Sequence, residues 1–201
     1  MEKLQWDKVR VLVANYCNYK CPFCHNEGQD KATTKERMSL QSFKRLVDVL
    51  SDQPISEFNI SGGEPFLNED IVDMILYIND NLDCDISCAT NLSLIKPEHI
   101  NALSRTRIKF NIQFPFATAE AFKRSTVTGN LDRILNSIDL LRAENIQVGL
   151  NTVLQSDDFT SILTLIDFAL ERGLPLKLLP QIGLSGSELF LNHIRPMLDA
   201  I

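Results

Sequence analysis

Short β-branched or apolar runs alternate with longer amphipathic stretches along the whole 201-residue chain. That alternation limits the fold more than any other feature. Runs at residues 8–14, 57–61, 85–89, 108–114, 147–154 and 175–179 read as strands. Between them apolar residues recur at helical spacing. Over residues 40–50, Phe43, Leu46, Val47 and Leu50 share one face, and residues 71–78, 131–141 and 159–170 behave alike. Ser39 and Asn68-Glu69-Asp70 supply N-terminal punctuation, and Gly173 a stop before the last strand. No hairpin signal separates the runs, so they predict a parallel sheet covered by helices. The candidates are an open doubly wound sheet or a barrel, complete or partial. In a barrel the chemistry sits at the C-terminal ends of the strands, and the distinctive motifs of this chain fall there.

A 44% apolar content in 201 residues predicts one sizeable core, and so one domain or at most two small ones. The net charge of −6 and pI near 5.1 give no pull toward nucleic acid or an anionic membrane. Lys44-Arg45 and the Arg105–Arg107 pair read as solvated helix or loop faces. The polar first eight residues do not resemble a signal peptide, and nothing approaches the roughly 20 apolar residues of a membrane span. The expected location is the cytosol. There, five cysteines are not a disulfide framework.

Three of those cysteines crowd into the loop after the first strand, Cys17-Asn18-Tyr19-Lys20-Cys21-Pro22-Phe23-Cys24-His25-Asn26, with the spacing C-x3-C-x2-C. Three thiolates on one short loop can each ligate one iron of a cubane cluster and leave the fourth iron open. Zinc held by the three cysteines and His25 is a second reading, although the adjacency of Cys24 and His25 strains a shared tetrahedral site. The second strand ends in Ser61-Gly62-Gly63-Glu64-Pro65, where the glycines allow close backbone approach to a ligand or a positive φ. Cys84 and Cys88 read as buried small hydrophobes. His99 and His193 read as surface residues on helices, and Lys177 as a cation able to reach the cavity.

Together these motifs resemble the radical S-adenosylmethionine (SAM) superfamily, in which Phe23 also fits as the aromatic residue before the last cysteine. Cys88-Ala89-Thr90-Asn91 and Asn111-Ile112-Gln113-Phe114 are similar to its third- and fourth-strand motifs. Gly129-Asn130-Leu131-Asp132-Arg133-Ile134-Leu135 and Leu150-Asn151-Thr152-Val153 resemble the branch that includes the molybdenum-cofactor GTP cyclase and peptide-maturing enzymes. The resemblance implies a partial (β/α)6 barrel in which Cys17, Cys21 and Cys24 hold a [4Fe–4S] cluster and the open iron binds SAM. It implies cofactor contacts from Phe23, Gly62, Gly63, Glu64 and Pro65, with Thr90, Gln113 and Asn151 as candidate contacts to SAM or substrate. It further implies reductive cleavage of SAM to a 5′-deoxyadenosyl radical, a flavodoxin- or ferredoxin-type electron donor, and a small-molecule or peptide substrate. No catalytic side chain is singled out.

Two other functions remain open at this stage. The tail Cys24-His25-Asn26 resembles activating enzymes of glycyl-radical proteins, although Glu27-Gly28 follows in place of their Pro-Glu. A zinc-bound structural or adaptor protein is the reading from another class. The chain is expected to be a radical SAM core over residues 1–201, with a last helix at 188–201 and with or without a C-terminal auxiliary region beyond.

Overall fold

In a computed structural model, residues 7–24, 34–155 and 159–181 are described, with Asn192 and Pro196. Six strands, β1 (Lys8–Leu12), β2 (Glu57–Ser61), β3 (Asp85–Thr90), β4 (Ile108–Gln113), β5 (Gln147–Leu154) and β6 (Leu176–Pro180), form one parallel sheet in sequential order. Among the described residues β1 pairs only with β2 and β6 only with β5, so the sheet is an unclosed arc. Among the described residues six α-helices cross between strands: α1 (Leu40–Leu50), α2 (Ile71–Asn81), α3 (Pro97–Leu103), α4 (Ala119–Thr126), α5 (Leu131–Ala143) and α6 (Phe159–Glu171). This is the partial (β/α)6 barrel expected from the sequence.

The register explains the alternation within each strand. Rows such as Phe58↔Ile86, Cys88↔Phe110 and Ile112↔Leu150 put apolar side chains on the helix-covered face. Phe58, Ile86, Phe110, Ile112 and Leu150 are buried there. The odd positions Asn59, Ser87, Asn111 and Asn151 point the other way, because successive side chains in a strand face opposite sides. Most parallel sheets are apolar on both faces. Here the inner face is polar because it lines a cavity.

The observed helix ends follow local chemistry. The Ser39 hydroxyl accepts from the Ser42 N–H at 3.2 Å and starts α1. Gly173, at φ 60°, ends the turn after α6. Helix α4 was not anticipated, and α3 only as the helical stretch that carries His99. Both are short, and α3 begins on Pro97, whose fixed φ suits a first helical position. The expected helix at 188–201, His193 included, lies outside the described residues apart from Asn192 and Pro196. Cys84 and Cys88 are buried, as expected, with Cys84 just ahead of β3.

Two surface expectations need correction. His99 is half-buried, since α3 turns its ring onto Phe66 at 5.6 Å and 22° between planes, and burial lowers its pKa. Arg107 is not a merely solvated cation. Its guanidinium donates to the Leu82 carbonyl at 2.6 Å, the Asn79 carbonyl at 3.0 Å and Asp83 at 3.0 Å, fastening the end of α2 to the start of β4.

Candidate functional site

The cysteine loop leaves the C-terminal end of β1 and is gripped first at its base. Asn15 exchanges two bonds with Glu36, one through its own N–H at 3.1 Å and one through its side-chain carbonyl at 2.8 Å. Ala14 bridges Arg37 in antiparallel fashion. The Asn68 amide, buried, donates to the carbonyls of Val13 at 3.0 Å and Met38 at 2.9 Å. Chain entering and chain leaving the loop are thus fixed side by side.

The glycine pair lies directly under this loop. Gly63 N–H donates to the Ala14 carbonyl at 2.8 Å and Glu64 N–H to the Tyr16 carbonyl at 2.9 Å. A Cβ on Gly62 would stand 2.4 Å from the Ala14 oxygen, and one on Gly63 would stand 2.1 Å from the Tyr16 oxygen. Gly62 also holds φ at +150°, where side-chain-bearing residues are strained. The two glycines therefore let β2 carry the cysteine loop on its own backbone.

Glu64 turns its side chain away from the barrel mouth into the core. Its carboxylate accepts from the Thr90 hydroxyl at 2.6 Å, Asn91 N–H at 2.7 Å and Phe66 N–H at 3.1 Å. Burial pushes this carboxyl up to about 7 against those three donors. Thr90 is likewise buried and on the helix-covered face, and its oxygen also accepts from Leu92 N–H at 2.9 Å. The side chains of Glu64 and Thr90 thus tie the β2 turn to the end of β3. Pro65 is buried as the first residue of a 3₁₀ turn, Pro65–Leu67.

Asn91, Asn18 and Ser93 form a second layer that the sequence reading had not singled out as site residues. Asn91 Nδ2 donates to Asn18 Oδ1 at 2.8 Å and reaches the Cys17 sulfur at 3.6 Å. Asn18 Nδ2 donates to the Ser93 hydroxyl at 2.8 Å, and Ser93 donates back to Asn91 at 2.6 Å. Tyr19 N–H adds a second donor to the Cys17 sulfur, at 3.3 Å. An Asn within the motif Cys88-Ala89-Thr90-Asn91 was the available signal, but nothing in the sequence tells which loop it serves.

None of the three loop cysteines forms a disulfide among the described residues; Cys17 and Cys21 are half-buried and Cys24 is exposed. Burial raises the Cys17 thiol, and burial with the neighbouring Cys17 and Cys24 pushes Cys21 up to about 12. Two N–H donors aimed at one sulfur suit a thiolate held by a metal group, since hydrogen bonds to sulfur stabilise its anionic form. His25 lies outside the described residues.

Below the loop the inner face of the arc encloses a cavity of about 330 Å³ touched by all six strands. Asn59, Asn111 and Asn151 line it with Arg10 and Lys177, so the sixth-strand lysine does reach the cavity. Lys8 pairs with Glu57 at 2.6 Å, and Arg10 donates to Asn59 at 3.0 Å. Gln113 sits beside Asn151 in the register, and its Nε2 is buried without a hydrogen-bond partner among the described residues. Phe23 is half-buried within the loop.

A parallel barrel arc with a three-cysteine loop at its strand ends and a glycine turn beneath it defines a class of cofactor-dependent barrel proteins. The chain belongs to the Radical SAM superfamily, whose model matches residues 11–169. It is similar to the GTP 3′,8-cyclase of Clostridium perfringens (strain 13 / Type A), 30% identical over 174 residues covering 85% of this chain and 54% of the relative. The probable GTP 3′,8-cyclase of Thermococcus kodakarensis is 30% identical over 173 residues, with 85% and 55% covered. The chain thus spans about half the length of the curated relatives it matches. Among solved structures, Streptococcus suis SuiB bound to S-adenosylmethionine superposes with a TM-score of 0.80 at 18% identity, over 92% of this chain and 43% of SuiB. Native anSMEcpe with bound AdoMet gives 0.78 at 14% identity, over 97% of this chain and 60% of that one. These two likenesses bear on the fold.

Proposed function

We propose that this chain is the catalytic core of a radical SAM enzyme, with a [4Fe–4S] cluster on Cys17, Cys21 and Cys24. The observation that carries the reading is the seating of the three-cysteine loop on Gly62 and Gly63, with two N–H donors aimed at the Cys17 sulfur. When bound, the cluster would supply the electron that cleaves SAM, coordinated at its open iron, to methionine and a 5′-deoxyadenosyl radical that abstracts hydrogen from substrate.

The chain's own residues bind, orient and shield. Backbone groups at Gly62, Gly63, Glu64 and Pro65, with Phe23 in the loop, are the proposed contacts to the methionine end of SAM. Thr90 serves that contact by holding Glu64. Gln113 and Asn151 are proposed contacts from the cavity side. A buried amide donor left unpaired costs about 1–3 kcal/mol, and a polar ligand there would remove the deficit at Gln113. The polar lining supports a hydrogen-bonding small molecule or a peptide segment as substrate, in line with the GTP named for the curated relatives and the precursor peptide bound by SuiB. A flavodoxin- or ferredoxin-type protein is the proposed electron donor.

The test is anaerobic reconstitution with iron and sulfide, followed by SAM and dithionite. A brown protein that releases 5′-deoxyadenosine supports the reading. A colourless protein that retains stoichiometric zinc and releases none overturns it in favour of a zinc-bound adaptor.

A further inference from the structure

Three non-glycine residues among those described have positive φ: Leu92 at 61°, Val127 at 67° and Asn145 at 58°. Asparagine tolerates that region, whereas leucine and β-branched valine do not. Val127, with ψ −45°, lies near the rare and strained γ-turn of positive φ. It is also half exposed, so burial does not account for it.

Both apolar outliers stand at the centre of turns that hold the same short stretch of the cysteine loop, residues 18–20. Leu92 lies between Asn91 and Ser93, which bond the Asn18 side chain. Val127 lies between Thr126, whose carbonyl accepts from Lys20 N–H at 3.3 Å, and Thr128, whose hydroxyl donates to the Asn18 carbonyl at 3.0 Å. The second turn is itself rigid. Thr126 Oγ1 accepts from Gly129 N–H at 3.0 Å, and a Cβ on Gly129 would stand 2.3 Å from that oxygen.

We propose that these two strained turns are a paired clamp on the stretch joining Cys17 to Cys21, and that Thr128 and Val127 are positioning residues for the cluster proposed above. Asn18 is held at its side chain by one turn and at its carbonyl by the other. Its side chain in turn anchors the Asn91 amide that approaches the Cys17 sulfur. Strained backbone persists where the surroundings over-determine it, and here both strained residues serve one loop. Hydrogen bonds to the sulfurs help set a cluster's reduction potential, so the clamp acts on redox behaviour as well as on retention.

The inference rests on the cluster reading, and the test separates the two. The reconstituted chain is compared with Thr128→Val, Thr128→Ser and Val127→Gly for iron loss to a chelator, cluster midpoint potential and Tm. Thr128→Val keeps the shape and removes the donor. It should lose iron about fivefold faster, as for removal of one neutral hydrogen bond, with a more negative potential and little change in Tm. Thr128→Ser should restore both. Val127→Gly relieves strain and should raise Tm by about 2–4 °C, yet lose iron faster because the turn is no longer held. Parallel movement of Tm and iron retention in Val127→Gly, or wild-type iron loss and potential in Thr128→Val, overturns the clamp alone. A wild-type chain that takes up no cluster overturns the cluster reading and the clamp with it.

Discussion

The carboxylate of Glu64 accepts a hydrogen bond from the Thr90 hydroxyl at 2.6 Å, in a position from which solvent is fully excluded. This bond joins the turn after β2 to the end of β3, and two backbone donors complete it. A charge this deep makes stability depend on pH.

Glu64 has its folded pKa raised by burial to about 7, above the ordinary 4.5. The folded protein therefore binds this proton more tightly than the unfolded chain does. The contribution is fully present below about 4.5 and is lost as pH rises through about 7. At its upper limit the loss is about 3 kcal/mol. Urea unfolding of the cluster-free protein at pH 5 and pH 8 should show the fall, and Glu64→Gln should flatten it. Equal pH dependence in the variant would contradict the assignment.

Gly63→Ala puts a methyl 2.1 Å from the Tyr16 carbonyl oxygen, a backbone atom that no rotamer can move. The expected outcome is a loss of more than about 3 kcal/mol, because overpacking here forces a backbone shift. Iron uptake should fall with it. Thermal unfolding and iron content after reconstitution measure both.

Cys21→Ala should abolish iron uptake and SAM cleavage, while Cys88→Ala should keep both. Cys88 is fully buried against the helices, and its loss leaves a small cavity costing about 1–2 kcal/mol. Iron analysis of the two purified variants decides the matter. Full turnover in Cys21→Ala would refute the ligand assignment.

Gln113→Leu offers a stability–function contrast. Removing a buried, unpartnered amide should stabilise the ligand-free chain by about 1 kcal/mol. SAM or substrate should then bind about tenfold more weakly, the equivalent of one lost hydrogen bond to a charged group. Chemical denaturation and equilibrium dialysis with SAM test the two halves separately.

The strand frame was legible because alternation within each run reports which side of the sheet a residue faces. Glu57, Asn59 and Ser61 in β2, and Lys109, Asn111 and Gln113 in β4, alternate with apolar residues at intervals of two, and that is the signature of a polar lumen. The cysteine spacing was equally legible, since all three residues lie on one loop. What could not be read was contact between distant segments. Gly62 and Gly63 suggested close approach to a ligand, and their nearest atoms prove to be the backbone of Ala14 and Tyr16. The family resemblance made Thr90 a candidate contact to SAM or substrate, and only the folded chain shows strand parity turning it to the covered face, beside Glu64. Arg107 looked like one of a pair of surface cations, and only the folded chain shows the carbonyls of Asn79 and Leu82 waiting for it. Local pattern encodes which face a side chain takes, but not what stands opposite.

Among the described residues the outer edges of β1 and β6 are unpaired, which gives the arc a freedom that a closed barrel lacks. In a ring of eight strands every interstrand ladder is shared, and any change of girth must stretch hydrogen bonds somewhere. Here the mouth between Arg10 on one edge strand and Lys177 on the other can widen by a small change in twist at each strand pair, with every ladder bond intact. The girth of the cavity is then adjustable at little enthalpic cost.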